Sequence, residues 1–402
     1  MASDKQDKVL NVPTLRFPEF TGEWEESTIG KEFELYSGNT PSRLDKENYV
    51  GDVNWITSGE LKEHYIGDTK EKISERSAKE NNLRLMPKGT FVIAIYGLEA
   101  EGVRSTGSII SKQSTISQAC MAFTPKGGIS NEFLYAWYKK HGNVIGIRYA
   151  QGTKQQNLSY DIIEKFKIRY PSQKEQDKLN SFISLLDTRI STQIRIINEI
   201  QSLISGITQT VSKHTLTKMT MLSELLVERN ERNKALYPVY SVSVSEGVIN
   251  QIDYLGRSFA AADTSHYNVV HKGDIIYTKS PTGEFPFGIV KRNSVETNVA
   301  VSPLYGVYKP VSDDVAIYLH YYFCSPLNAQ NYLHKLIQKG AKNTINITNQ
   351  RFLENHIPLP DKTTLSRFVE LMNAVSAKLK SERSLLEALQ RQKKYLLTHM
   401  FV

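Results

Sequence analysis

The same order of features occurs twice along the chain. Met86-Pro-Lys-Gly-Thr-Phe-Val92 is echoed by Val270-His-Lys-Gly-Asp-Ile-Ile276, an offset of 184 residues. Phe133-Leu-Tyr-Ala-Trp-Tyr138 is echoed by Tyr318-Leu-His-Tyr-Tyr-Phe323 at an offset of 185. Gly152-Thr-Lys-Gln-Gln-Asn-Leu-Ser159 has its counterpart in Gly340-Ala-Lys-Asn-Thr-Ile-Asn-Ile-Thr348, with Asn157 and Asn346 each 14 residues before a closing proline, Pro171 or Pro360. Chance supplies one such pair. Three in one order, with a slowly drifting offset, mark a duplication with small insertions. A chain of 402 residues also exceeds the size at which a single core stops growing, so the duplication predicts two domains on one plan.

Each copy closes with a helical pattern. Leu179, Ile183, Leu186, Ile190, polar Gln193, Ile197, Ile200, Ile204, Ile207 and Val211 follow one another at alternating steps of four and three. That is a heptad seam rather than a general amphipathic face. The second copy repeats it with Phe368, Met372, Val375, Leu379, polar Glu382, Leu386, Leu389, Lys393, Leu396 and Met400. Neither run contains proline. A matched seam in both copies is best buried by packing the two helices on each other, as an antiparallel coiled coil. A helix over residues 175–211 spans on the order of 55 Å. Two contact sites held a fixed distance apart suit a DNA duplex, where one turn separates sites by roughly 34 Å. The remaining sequence has short strand patterns such as Thr90-Phe-Val-Ile-Ala-Ile95 and Tyr237-Pro-Val-Tyr-Ser-Val-Ser-Val244. Helical patterns cover 131–141, 316–323 and 329–338, so each globular part is expected to be mixed α/β. The aromatic positions Tyr135, Trp137, Tyr321 and Tyr322 are spaced to pack a core.

Composition narrows the classes. Lys and Arg number 50 against 42 Asp and Glu, a net +8 that makes a polyanionic partner plausible without identifying one. Cys120 and Cys324 are too few for a disulfide framework or a zinc ribbon and read as small core residues. Met1 to Lys8 is polar, unlike a signal peptide, and no apolar run approaches a membrane span, so a cytoplasmic location is expected. Catalytic motifs are sparse. The sequence has no phosphate loop, no dinucleotide-type glycine spacing, no amino-methyltransferase tetrad and no histidine pair with metal-ligand spacing. Asp52, Glu60 and Lys62 imitate a carboxylate pair plus lysine for Mg²⁺-assisted phosphodiester cleavage. Patterns that short arise readily by chance.

What the loops carry instead suits contact without chemistry. Ser37-Gly-Asn-Thr-Pro-Ser-Arg43, Lys112-Gln-Ser114, Lys154-Gln-Gln-Asn157, Lys279-Ser-Pro-Thr-Gly283, Lys291-Arg-Asn293 and Lys342-Asn-Thr344 combine bases with amides and hydroxyls. Asn and Gln can pair adenine, Arg and Lys guanine, and Lys, Ser and Thr can hold phosphates.

Several of these segments resemble the specificity subunit of type I restriction–modification enzymes. They are Leu15-Arg-Phe-Pro-Glu-Phe20 with Gly22-Glu-Trp-Glu25, Ser37-Gly-Asn-Thr-Pro-Ser42 and Asn54-Trp-Ile-Thr-Ser-Gly-Glu-Leu61. Pro87-Lys-Gly, His271-Lys-Gly-Asp-Ile, and Gly152 through Pro171 to Glu175-Gln176 with the heptad helix complete the match. The second copy lacks the Arg-Phe-Pro-Glu-Phe opening and the Gly-Asn-Thr-Pro-Ser loop, and its seam carries Glu382 and Lys393.

The resemblance implies two target-recognition domains, residues 12–171 and 214–360, each reading one half of a bipartite double-stranded DNA site. It implies conserved helices at 172–213 and 361–402 that set the spacing and dock two modification subunits. Methyl transfer and cleavage would belong to partners. S-adenosylmethionine would sit on the modification subunits, ATP and Mg²⁺ on the restriction subunits, and no cofactor on this non-catalytic chain. Expected DNA contacts are Asn39, Thr40, Ser42, Arg43, Lys112, Gln113, Lys154 and Gln155, then Lys279, Ser280, Thr282, Lys291, Arg292, Lys342 and Asn343. Two rival readings remain at this point: a self-contained nuclease or methyltransferase using Asp52, Glu60 and Lys62, and a coiled-coil scaffold for proteins alone.

Overall fold

The structure, a computed structural model, describes residues 11–96, 106–149, 157–214, 217–252, 263–339 and 345–402. The chain divides into two compact units, Met1–Ile194 with Ser384–Val402 and Arg195–Arg383. The division falls inside both seam helices, so each unit holds one globular part and about half of each helix.

In the first unit the strands are β1 (Glu25–Thr28), β2 (Phe33–Ser37), β3 (Val53–Ile56), β4 (Tyr65–Ile66), β5 (Lys72–Ile73), β6 (Phe91–Ala94), β7 (Gly107–Ile110), β8 (Ser114–Ile116), β9 (Cys120–Pro125) and β10 (Lys167–Tyr170). The main sheet has the order β2-β9-β6-β7-β4, beside a smaller β5-β3-β8 sheet and a β1-β10 pair. Strand alternation sorts the main sheet into two cores. Phe91, Ile93, Met121 and Phe123 face helix α1 (Asn131–Tyr149) and the first turns of α2 (Gln173–Ser212). Val92, Ala94, Cys120 and Ala122 face Ile56, Leu61, Ile66 and Ile116 instead. Both faces are covered, which is why Phe91–Ala94 is buried at every position.

The second unit rebuilds this plan. Its strands are β11 (Lys218–Met221), β12 (Leu226–Glu228), β13 (Tyr240–Ser243), β14 (Gly247–Asn250), β15 (Asn268–Val270), β16 (Ile275–Thr278), β17 (Ile289–Arg292), β18 (Val299–Val301), β19 (Gly306–Pro310), β20 (Gln338–Lys339), β21 (Ile345–Asn346) and β22 (His356–Leu359). The sheet order β12-β19-β16-β17 matches β2-β9-β6-β7 strand for strand, and β11-β22 repeats β1-β10. Alternation again separates Ile275 and Tyr277 from Ile276. The copies differ where α1 has its counterpart. Here two helices, α3 (Asp313–Cys324) and α4 (Pro326–His334), take its place, broken at Ser325-Pro326. Proline cannot continue a helix but suits its first turn, and the Ser325 hydroxyl accepts from Asn328 N–H as the new cap. Residues 335–338, expected to continue the last helical pattern, leave it, and β20 begins at Gln338.

The closing helix α5 (Lys362–Met400) contributes to both units. In the first, Leu179, Ile183 and Leu186 share a core with Leu396, Leu397, Met400 and Phe401. In the second, Ile204, Ile207 and Val211 pack with Leu365, Phe368, Val369 and Met372. Opposite ends of the two helices thus meet in each unit, and every seam position from Leu179 to Met400 is buried or half-buried. Gln193 and Glu382, the matched polar steps, are buried too, with Glu382 held by Lys378 Nζ at 2.5 Å. The other polar exception, Lys393, is paired with Asp187.

The Arg-Phe-Pro-Glu-Phe opening straps onto α2. Arg16 makes two 2.7 Å bonds to the buried Glu175 carboxylate, Phe17 packs edge-on against Phe182 at 5.9 Å, and Glu19 pairs with Lys178. Gln176 is fully buried, donating to the Gly128 and Pro171 carbonyls and accepting from Ser130 N–H. Glu175-Gln176 therefore joins the helix start to the domain. Two neighbouring residues test the seam. Ile183 is 1% exposed and Leu185 69%. Ile183→Ala is expected to cost about 2–5 kcal/mol in chemical denaturation, and Leu185→Ala less than about 0.5 kcal/mol. Equal costs would overturn the assignment.

Candidate nucleic-acid interface

In the first unit three loops converge through acidic partners. The Gly38–Arg43 loop leaves β2 with its backbone pressed on β8: a Cβ on Gly38 would lie 1.8 Å from the Ile116 carbonyl oxygen, so only glycine fits. The Asn39 carbonyl then accepts from the Trp55 indole N–H at 3.2 Å, and the Pro41 carbonyl from Tyr49 Oη–H at 2.7 Å. These bonds hold Asn39 and Ser42 exposed and Thr40 half-exposed. Arg43 lies over the Tyr49 ring at 4.3 Å and grips Glu71 with bonds of 2.6 and 2.8 Å. The pairing raises the Arg43 pKa and lowers that of Glu71. Across the same segment Lys112 Nζ lies 3.0 Å from Asp68, and Gln113 beside it is exposed. Arg43 and Lys112, predicted separately, are thus gathered around residues 67–72. Sequence reasoning missed Asp68 and Glu71, because lone acidic residues in a turn give no signal of their partners.

In the second unit Ser280 and Thr282 are exposed on the β16–β17 hairpin, whose tip turns through Gly283 at φ +50°. Lys279 is half-buried, and burial lowers its pKa. Lys291 and Arg292, read as part of a loop segment, are placed differently. Both lie on β17 rather than in a loop. Lys291 is 5% exposed with its ammonium 3.2 Å from Cys324 Sγ, and Arg292 Nη2 is bound to Asp313 at 2.5 Å. Neither charge is offered outward, because α3 packs across the strand. Lys154, Gln155, Lys342 and Asn343 lie outside the described residues.

The Asp52, Glu60 and Lys62 pattern has another explanation. Glu60 accepts from Thr57 N–H, Thr57 Oγ1–H and Lys70 N–H at 2.9, 3.0 and 2.7 Å, closing a capping box on a turn of 3₁₀ helix. Among the described residues no group of three or more His, Cys, Asp or Glu is placed to hold a metal ion. Lys62 instead lines a 530 Å³ cavity with His64, Tyr135, Lys139, Asp187 and Lys393.

In that cavity His64 stacks on Tyr65 and Tyr135 at 4.1 and 4.0 Å. Its Nε2 meets Glu132 at 2.9 Å and its Nδ1 meets Asp187 at 3.0 Å. Burial opposes a charged imidazole, yet the Asp187 and Glu132 carboxylates outweigh it and raise the His64 pKa. Burial likewise opposes the Asp187 carboxylate, but His64 and Lys393 hold its pKa down. Burial, helped by Lys393, lowers Lys139 to about 8. The chain of contacts ties the first globular part to α1, α2 and the end of α5.

Fold and loops together define a duplicated α/β module that presents polar loops and shares a pair of seam helices. Residues 21–202 match the family described as type I restriction modification DNA specificity domain. The chain is 29% identical over 175 residues to the type I restriction enzyme MjaIX specificity subunit of Methanocaldococcus jannaschii, covering 42% of this chain and 39% of that protein. It is 25% identical over 187 residues to the EcoR124I/EcoR124II specificity subunit of Escherichia coli, covering 46% and 45%. The matched stretch thus spans under half the length of either relative. In fold the likeness is more extensive. The type I restriction–modification S subunit of M. genitalium superposes with a TM-score of 0.59 at 15% identity, covering 97% of this chain and 99% of that one. A second structure, from work on complex assembly and conformational transition of the type I system, gives 0.54 at 12% identity over 93% and 96%. Residues 21–202 are thus similar to the type I restriction modification DNA specificity domain, and the whole chain shares the fold of these S subunits.

The His64 cluster carries a pH signature. With its folded-state pKa raised, His64 contributes stability fully below about pH 6.5, its unfolded value, and loses it as pH rises through the folded value. Asp187 works oppositely, losing its contribution only as pH falls through its depressed value. Denaturation midpoints of the wild type should therefore fall with rising pH above about 6.5 relative to His64→Gln. Parallel profiles for the two proteins would overturn this pairing.

Proposed function

We propose that the chain is the DNA-specificity subunit of a type I restriction–modification complex. The observation that carries this is the repetition of one sheet order in both units, the first of which bears the specificity-domain match. A single reader mounted twice fits a bipartite duplex site, each domain reading one half and the helices setting the gap and docking two modification subunits. Methyl transfer from S-adenosylmethionine and ATP-driven, Mg²⁺-dependent cleavage then belong to modification and restriction subunits, and this chain acts as a non-catalytic cytoplasmic component. None of the described helices is long and apolar enough to cross a membrane.

The paired loop charges fit such a role. Arg43–Glu71 and Lys112–Asp68 are largely exposed pairs, and solvent-screened ion pairs of this kind add little stability, so a phosphate can replace the carboxylate at little cost. Glu71→Gln and Asp68→Asn are expected to tighten duplex binding by the complex at low salt. Arg43→Gln and Lys112→Gln should weaken it, each lowering the salt slope by about one. Filter binding across a salt series measures both effects, and no change in any of the four would remove these loops from the interface.

Methylation sequencing of cells expressing the chain with its modification subunits tests the whole reading. A split motif is expected, one half of which changes when residues 214–360 are exchanged for those of another family member. Inserting one heptad in each helix should widen the gap by about three base pairs, from roughly 10.5 Å of helix rise. Absence of a split motif would overturn the reading.

A further inference from the structure

The second unit contains a nucleophile that DNA reading does not use. Cys324 ends α3, and Lys291 reaches it from β17 with Nζ 3.2 Å from Sγ. Lys291 is 5% exposed, so its ammonium is aimed at the sulfur from inside the fold. His320, one helical turn before Cys324, sets its Nε2 3.8 Å from the same sulfur. Its other nitrogen, Nδ1, accepts from Arg292 N–H at 3.3 Å, which places the ring proton on Nε2, facing Cys324. Two donors therefore converge on one thiol.

The two cysteines, alike in sequence, differ in surroundings. Cys120 is buried within the β2-β9-β6-β7-β4 sheet beside Ser117, and burial pushes its thiol up to about 12. Burial acts the same way at Cys324, but His320 and Lys291 reverse it and bring the group down to about 6, a thiolate at neutral pH. Cys324 also keeps part of its surface open. Both cysteines read as small core residues in the sequence; Cys120 is buried as such, whereas Cys324 is partly open and faces Lys291 and His320.

We propose that Lys291 and Cys324 form a peroxide-driven covalent cross-link, a sulfenamide between Nζ and Sγ that staples β17 to α3. The thiolate attacks one peroxide oxygen and the O–O bond breaks. The departing hydroxide takes a proton from the Lys291 ammonium and leaves as water. Sulfur is oxidised by two electrons to the sulfenic acid and the peroxide is reduced by two. The neutral Lys291 amine, already in contact, then attacks the sulfur, the S–O bond breaks, and the hydroxyl leaves as a second water with a proton from nitrogen. The net change consumes one peroxide and releases two waters. A small-molecule thiol reverses it by exchange at sulfur.

The test treats the full chain with hydrogen peroxide and maps peptides under non-reducing conditions, using a protease that does not cleave at lysine. A joined peptide containing Lys291 and Cys324 is expected, lighter by two hydrogens than its two parts, and lost on adding dithiothreitol. The midpoint of chemical denaturation of the second unit should rise with the cross-link and return with the thiol. Cys324→Ser should abolish the product. Lys291→Arg keeps the charge but not the amine, so Cys324 should stop at a sulfenic acid that dimedone traps. Separate peptides with Cys324 unmodified or carrying only oxygen would overturn the proposal, as would a joined peptide from Lys291→Arg.

Discussion

Both units depend on the seam of α2 and α5. Neither globular part closes its core alone: Leu179, Ile183 and Leu186 complete the first with the end of α5. Ile204, Ile207 and Val211 complete the second with its beginning. A helix buried on one stripe gains its stability from packing rather than from propensity. The same stripe must therefore be right over nearly the full length of 40 and 39 residues. Where the stripe turns polar, the charge is answered locally, Lys393 by Asp187 and Glu382 by Lys378. Polar steps in a seam of this kind are tolerated because a partner satisfies them, and they favour one register over others.

Charge is distributed by depth. The loop pairs Arg43–Glu71 and Lys112–Asp68 are exposed and cheap to exchange. The pairs at the helix junction, Arg16–Glu175 and the His64–Asp187–Lys393 cluster, are largely withdrawn from water and costly to break. Labile charge thus lies at the loops and committed charge at the joint.

Much of this was legible in the residues. The seam, the duplication and the α/β class follow from periodicity, which reports burial on one face directly. The loss of the Gly-Asn-Thr-Pro-Ser loop from the second copy was visible, but the survival of β12 in the main sheet and of the β11-β22 pair was not. Strand pairing is satisfied by backbone hydrogen bonds that many sequences can make. Lys291-Arg-Asn293 read as an exposed basic segment, yet β17 lies under α3, and only the neighbouring helix decides that. Glu60 read as one of a catalytic pair, yet its carboxylate is taken up by the Thr57 cap and by Lys70 N–H, ten residues away.

The amino-acid order by itself determined the two-copy plan, the helix seam and the residue types at the loops, because each is a local or periodic property written along one strand or one helix. Tertiary structure alone decided which charges are spent and which are available. Pairing across 44 residues for Asp68 with Lys112, or 206 for Asp187 with Lys393, leaves no trace in spacing. It also decided that of two similar cysteines one is an inert thiol and the other faces an ammonium and an imidazole. Protonation follows the field of neighbours brought together in space, and that field exists only once the chain has folded.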